Sequence, residues 1–331
     1  MKKTIIALCL LSVFLISLSN MAFAQEKMAI IFATGGLGDK SFNDSAYEGI
    51  ERAKEELGIE YDYVEPEAIA EYETYLTQFA ASGEYSLIIS IGFDHADSVD
   101  LVSSRFPDQY FAIVDSIVEK DNVASYVFDE IQRGFLPGVA AAMMTSRTDD
   151  PRINSEKIIG VVGGMNIPLI NKNIKGFAAG AKFVDPEIEV VHSYVGGWAD
   201  PGKGKELAYS MVEQGADVIW GAAGRSGLGV INASIDKNVY SVGSNSDQSY
   251  LAPKNVLTNG MKYVNNTVFM AVKDIVEDKF EPGTYVLGFD SDAVGITKTL
   301  LSDDVYKEIM DIKEKVVAGE IDIEQYVEEL E

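Results

Sequence analysis

Two histidines, His95 and His192, and one cysteine, Cys9, are the only imidazoles and thiol in the 331-residue chain. General-base chemistry would therefore fall to one of two imidazoles or to a carboxylate with a tuned pKa. His192 lies inside a strand-like run and reads as structural, whereas His95 follows Asp94 at a strand end and could line a cleft. The chain carries no Gly-x-Ser-x-Gly nucleophile elbow, no His-x-x-x-His zinc helix and no spaced oxygen loop for calcium. Gly36-Leu37-Gly38 opens a dinucleotide fingerprint, but Ser41 stands where its third glycine belongs. Gly197 to Gly204 has the spacing of a phosphate-binding loop, yet Gly204 replaces the hydroxyl residue that would hold magnesium. No catalytic set, no metal site and no cofactor is expected.

The remaining chemistry is that of binding. Gly38-Asp39-Lys40-Ser41-Phe42-Asn43-Asp44 is a polar turn with one bulky ring at the start of a helix. Helix capping explains Ser41, Asn43 and Asp44 without a ligand, and Phe42 is then either a hydrophobic staple or a stacking surface. Trp198 and Trp220 stand at two further loop positions and, unless they are core, complete a slot for a planar ring. One such stack is worth about 1–3 kcal/mol.

The elements that position these residues alternate. Strand-like runs at Met28–Ala33, Leu87–Ile91, Tyr110–Val114, Val123–Phe128, Ile158–Val162, Glu189–Tyr194, Val218–Trp220, Val239–Val242, Val256–Thr258 and Tyr285–Gly288 are separated by amphipathic helical patterns. One of these is Asp44–Leu57, stopped by Gly58. Strands that are nearly all apolar, such as Leu87–Ile91, are expected in a parallel sheet covered on both faces. Glycine and polar residues cluster just after the strands, at Gly92-Phe93-Asp94, Asp115-Ser116, Gly163-Gly164, Gly224-Arg225-Ser226-Gly227 and Ser244-Asn245-Ser246-Asp247 among others. That edge is where ligands sit in an open parallel sheet. About ten strands is large for one sheet, so the expectation is two doubly wound α/β lobes with facing edges. The chain passes between them near Asp129 and returns near Thr258. Residues 25–128 with 256–286 form the first lobe, and 129–255 with 287–331 the second.

The formal net charge of −25 repels phosphate backbones, which excludes nucleic acid as a partner. Lys2 and Lys3, an apolar run to Leu18, and Ala22-Phe23-Ala24 have the order of a secretory signal peptide over residues 1–24. Cleavage after Ala24 leaves an exported chain without cysteine, on the periplasmic or extracytoplasmic side of the membrane.

Gly36-Leu37-Gly38-Asp39-Lys40-Ser41-Phe42-Asn43-Asp44 resembles the signature of the basic membrane protein family of ABC-transporter solute-binding proteins, whose best understood members are purine nucleoside receptors. The blocks Phe111 to Asp115, Lys175-Gly176-Phe177, Gly202 to Ala208, Gly215 to Ile219, Ser246-Asp247-Gln248 and Val256-Leu257-Thr258 with Lys262 extend the resemblance over the mature chain. It implies a type I periplasmic binding protein fold with three crossovers between the lobes. It also implies a base stacked between Phe42 and Trp220, Asp115 on the base edge, and Lys262 with the Asn245–Asp247 segment on a ribose. Asp39, Ser41, Asn43, Trp198 and Gly224 complete the expected ligand-binding set. Asn245 stands where the family has an aspartate, which weakens any pairing with Lys262 and leaves room for a free base or another planar heterocycle. The implied partners are a nucleoside-like solute and a membrane permease with its ATPase, with the protein monomeric. The alternatives are a secreted nucleoside-processing enzyme and a ligand sensor for a signalling receptor.

Overall fold

A computed structural model describes residues 25–330; the expected signal segment 1–24 lies outside the described residues. In chain order the strands of the first half are β1 Lys27–Ile31, β2 Glu60–Val64, β3 Leu87–Ile91, β4 Tyr110–Val114 and β5 Val123–Phe128. They are followed by β6 Ile158–Gly163, β7 Glu189–Tyr194, β8 Ala216–Ala222, β9 Tyr240–Asn245, β10 Val256–Lys262, β11 Gly283–Leu287 and β12 Val294–Ile296. One six-stranded sheet runs β11-β5-β4-β3-β1-β2 and the other β12-β10-β9-β8-β6-β7. All pairings are parallel except β10 with β12. The two lobes thus repeat one strand order, β3 corresponding to β8 and β4 to β9. This is the two-lobed α/β architecture with facing carboxyl edges.

Three passages join the lobes, at Asp129, at Tyr263, and at residues 288–293 between β11 and β12. They are stitched side by side, since Asp129 N–H donates to Leu287 O at 2.9 Å and Tyr263 N–H to Ala293 O at 2.9 Å.

The second passage corrects an expected boundary. β10 lies between β9 and β12 in the second sheet, so residues 256–262 belong to the second lobe and the return comes after Lys262. Leu287, which pairs with Phe128, belongs to the first lobe. Apolar periodicity marks 256–258 as strand but carries no information on which sheet accepts it. Two strands escaped the sequence pattern. β2 is an acidic, mostly exposed edge, and β12 is three residues long.

Local sequence explains the elements nearest the cleft. Helix α1 (Phe42–Leu57) buries Ala46, Ile50 and Ala53 and ends where Gly58 takes a left-handed φ of 72°. Later in the chain, after α2 (Tyr72–Ser82) and α3 (Ala96–Arg105), come α4 (Glu130–Thr145) and α5 (Pro168–Val184). Gly134 and Gly138 on α4 meet Asn173 and Phe177 on α5, and a Cβ at either glycine would lie 2.1 Å from a carbonyl oxygen of α5. The backbones therefore touch, which carries Glu130, Arg133 and Asn173 to the cleft end of the pair.

Candidate functional site

Between the two carboxyl edges lies a cleft enclosing about 650 Å³ of non-atom space, mouth included. On the first lobe it is walled by the turn after β1, by Phe93 and Asp94 after β3, and by Asp115 after β4. Asp39 shapes that turn. Its buried carboxylate accepts the N–H groups of Ser41, Asn43 and Asp44 at 2.8, 2.9 and 3.2 Å, capping α1. Burial raises its pKa, and the three N–H bonds oppose the rise. The Asn43 amide bonds Ala33 and Gly36 and pins the loop, so the Phe42 ring is delivered to the cleft by a turn with little freedom.

On the second lobe Trp198 follows β7 and lies on bare backbone. A Cβ at Gly164 would sit 2.2 Å from the indole Cζ3, so only glycine lets the ring lie there. Trp198 meets Phe93 of the first lobe edge-on, with centroids 6.2 Å apart. Gly224 and Arg225 follow β8, and Asn245 ends β9. Asp115 and Asn245 close equivalent strands, and both hold left-handed backbones, at φ 71° and 66°. Such residues concentrate where geometry serves function.

The floor is a charge cluster drawn from both lobes. Lys262 Nζ donates to both Asp115 oxygens at 2.8 and 2.9 Å and to Glu130 Oε1 at 2.5 Å. Arg133 donates to Asn173 Oδ1 at 2.6 Å and to Asn245 Oδ1 at 2.8 Å, and its guanidinium lies 3.5 Å from Glu130. Burial raises the Asp115 pKa against the pull of Lys262. The lobes are also latched. Ser41 Oγ donates to Ser244 O at 3.0 Å and accepts from Asn245 Nδ2 at 2.7 Å, Gln248 Nε2 donates to Lys40 O at 2.9 Å, and Arg225 Nη2 donates to Leu37 O at 2.7 Å. This is a closed cleft.

Of the residues singled out from sequence, Asp39, Phe42, Asn43, Asp115, Trp198, Gly224, Asn245 and Lys262 line the cleft. Ser41 lies beside it in the seam between lobes. Two do not reach it. Trp220 is fully buried in the second lobe, stacked on Phe177 at 5.5 Å, with Nε1 donating to Ser244 Oγ at 2.8 Å. The reason is that β8 runs on to Ala222, so Trp220 sits within the strand instead of at its end. Asp247 is exposed on an outer groove, where Oδ1 accepts from Ser249 N–H and Asn259 Nδ2. The expected pair of Phe42 and Trp220 is therefore not brought together, and the rings that line the cleft are Phe42, Phe93 and Trp198.

Phe93, Asp94, Arg133 and Arg225 line the cleft without having been singled out. Three of them stand in post-strand clusters visible in the sequence, while Arg133, one turn into α4, gives no such signal. His95 lies behind the wall, fully buried and stacked on Tyr72 at 3.6 Å, and burial lowers its pKa to about 3. It has no access to a substrate in the cleft. His192 is exposed on the edge strand β7. Among the described residues no group of three or more His, Cys, Asp or Glu side chains converges on a metal position.

The sequence profile of a family described as Bmp, ABC transporter substrate-binding protein PnrA-like, matches residues 26–326. The chain is 31% identical over 318 residues to a protein of Lactococcus lactis named ABC transporter nucleoside-binding protein BmpA, covering 89% of this chain and 87% of that one. It is 34% identical over 283 residues to an uncharacterized lipoprotein of Pyrococcus abyssi, covering 82% and 69%. The crystal structure of an ABC transporter system solute-binding protein from Aeropyrum pernix is similar with a TM-score of 0.81 and 29% identity, covering 90% of this chain and 92% of that one.

Proposed function

The chain belongs to the Bmp family of PnrA-like ABC transporter substrate-binding proteins, and on that premise we propose that it is an exported receptor whose cleft closes on a planar heterocycle, a nucleobase or nucleoside, for delivery to an importer. The family membership itself implies a small-molecule solute and a membrane permease as partners. The observation that carries the choice of solute is the set of rings, Phe42 and Phe93 from one lobe and Trp198 from the other, around a cleft whose floor is polar. Stacking removes both faces of a flat solute from water, and a few aimed polar groups then select its edge.

Ligand binding favours closure by its difference in affinity for the open and closed states. The latches between Ser41 and Ser244, and between Arg225 and Leu37, form only when the lobes meet, so the closed surface is the feature a permease can recognise. Export agrees with the signal-like segment 1–24. No helix among the described residues is long and apolar enough to cross a membrane.

Asn245 and Lys262, the positions that would hold a ribose, are engaged by Arg133, Ser41, Asp115 and Glu130. A solute with few or no hydroxyls fits that arrangement better than one needing both groups free. The test is calorimetry of protein unfolded, stripped of copurifying solute and refolded, against nucleosides, nucleobases and flavins. Micromolar or tighter binding of at least one nucleobase or nucleoside is expected; binding of none of them refutes the solute class.

A further inference from the structure

Asp94 and Arg225 occupy corresponding places in the two lobes. β3 and β8 hold the same position in their sheets, and each is followed by a single three-residue helical turn, Phe93–His95 and Gly224–Ser226. Asp94 and Arg225 are the middle residues of those turns, and both line the cleft. Their charges are opposite, yet no ion pair joins them, and among the described residues neither has an ion-pair partner elsewhere. The Asp94 carboxylate is met by its own backbone N–H and by a long hydrogen bond from the Tyr72 hydroxyl at 3.3 Å, with no cation beside it. Arg225 spends Nη2 on Leu37 O, while its buried Nε has no partner.

The other polar groups of the cleft are committed. Asp39 caps α1, and Lys262, Asp115, Glu130, Arg133 and Asn245 satisfy one another. A carboxylate and a guanidinium kept without counter-ions beside a low-dielectric cleft are costly unless something else completes them. Resting on the planar-heterocycle reading above, we propose that Asp94 and Arg225 determine specificity by gripping one edge of the solute from opposite lobes. Asp94 accepts an N–H of that edge and Arg225 donates to a ring nitrogen or carbonyl oxygen beside it. The solute class is then a heterocycle with a hydrogen-bond donor next to an acceptor, as in oxo- and aminopurines. A ring with acceptors alone offers Asp94 no donor and sets its carboxylate against another acceptor.

The experiment is calorimetry of the ligand-stripped protein with inosine, adenosine and purine riboside, and with the same three bases methylated at N9. Purine riboside and 9-methylpurine have no donor on the six-membered ring. For the wild type, the best oxo- or aminopurine is expected to bind at least tenfold more tightly than its donor-free counterpart. Asp94→Leu and Arg225→Met should each weaken the preferred solute at least tenfold, and Asp94→Leu should erase the preference. Where either variant fails to unfold cooperatively, Asp94→Asn or Arg225→Lys is read in its place, with the same direction expected. Equal binding of donor-bearing and donor-free rings, or full affinity in both variants, overturns this inference while leaving the heterocycle reading intact. Binding of no ring in the panel overturns both.

Discussion

Replacing Lys262 with Met removes the one cation among the described residues that touches carboxylates from both lobes. Lys262 is 2% exposed, and its partners Asp115 and Glu130 are 8% and 4% exposed. Methionine keeps most of the stem that packs near Phe128, whose ring centroid is 4.9 Å from Nζ, so the change is chiefly electrostatic. It leaves two carboxylates facing Arg133 alone. Breaking a buried pair by removing one partner costs about 3–5 kcal/mol, and the lower half is expected because Arg133 compensates in part. The loss should depend on pH with a definite sign. Asp115 already has a raised pKa from burial, and losing Lys262 raises it further. The folded variant then holds a proton that the unfolded chain has released, so its stability increases as pH falls toward the ordinary carboxylate range. Urea unfolding at pH 8 and pH 5 measures this, with a smaller deficit relative to wild type expected at pH 5. The double change Lys262→Met with Asp115→Asn should recover part of the loss at pH 8. A deficit below about 1 kcal/mol at pH 8, or one that grows at pH 5, refutes the reasoning.

Phe42→Ala should weaken solute binding about tenfold or more by calorimetry, the loss of one stack at roughly 1.4 kcal/mol per decade, with the melting transition nearly unchanged. Gly134→Ala places a methyl group 2.1 Å from the Asn173 carbonyl oxygen; separating α4 from α5 should cost about 1–3 kcal/mol or more in chemical unfolding. Burial raises the Asp217 carboxyl, which accepts from Thr145 Oγ1 at 2.6 Å, to about 6. Its folded value exceeds the unfolded one, so its contribution to stability is lost as pH rises from about 4 to about 6 and amounts to about 3 kcal/mol at most. Asp217→Asn should flatten that part of the stability profile, and an unaltered profile would show that Asp217 is not the titrating group.

The architecture was legible because its signals are local and repeated. Leu87–Ile91, Tyr110–Val114, Val123–Phe128 and Glu189–Tyr194 have the same limits in the structure as in the apolar pattern. Glycine and polar clusters mark the edge where the cleft forms. Sheet membership was not legible, because β10 is apolar enough for either lobe and only its pairing with β9 decides. The site was legible to the level of loops but not of side-chain direction. Trp220 and Trp198 look alike in sequence, yet a strand that runs two residues past the end of its pattern turns one into the core, and a glycine under its ring holds the other at the cleft. Arg133 was hidden for a different reason: it enters through the close backbone approach of α4 and α5, which the apolar pattern does not reveal.

The two tryptophans also offer the most direct test that the solute lies where Trp198, Phe42 and Phe93 meet. The protein has only these two indoles, one at the cleft and one fully buried in the second lobe. Tryptophan fluorescence titrated with a bound nucleobase or nucleoside should be quenched in the wild type and in Trp220→Phe, and should lose its response in Trp198→Phe. Quenching that survives in Trp198→Phe and disappears in Trp220→Phe would contradict the account.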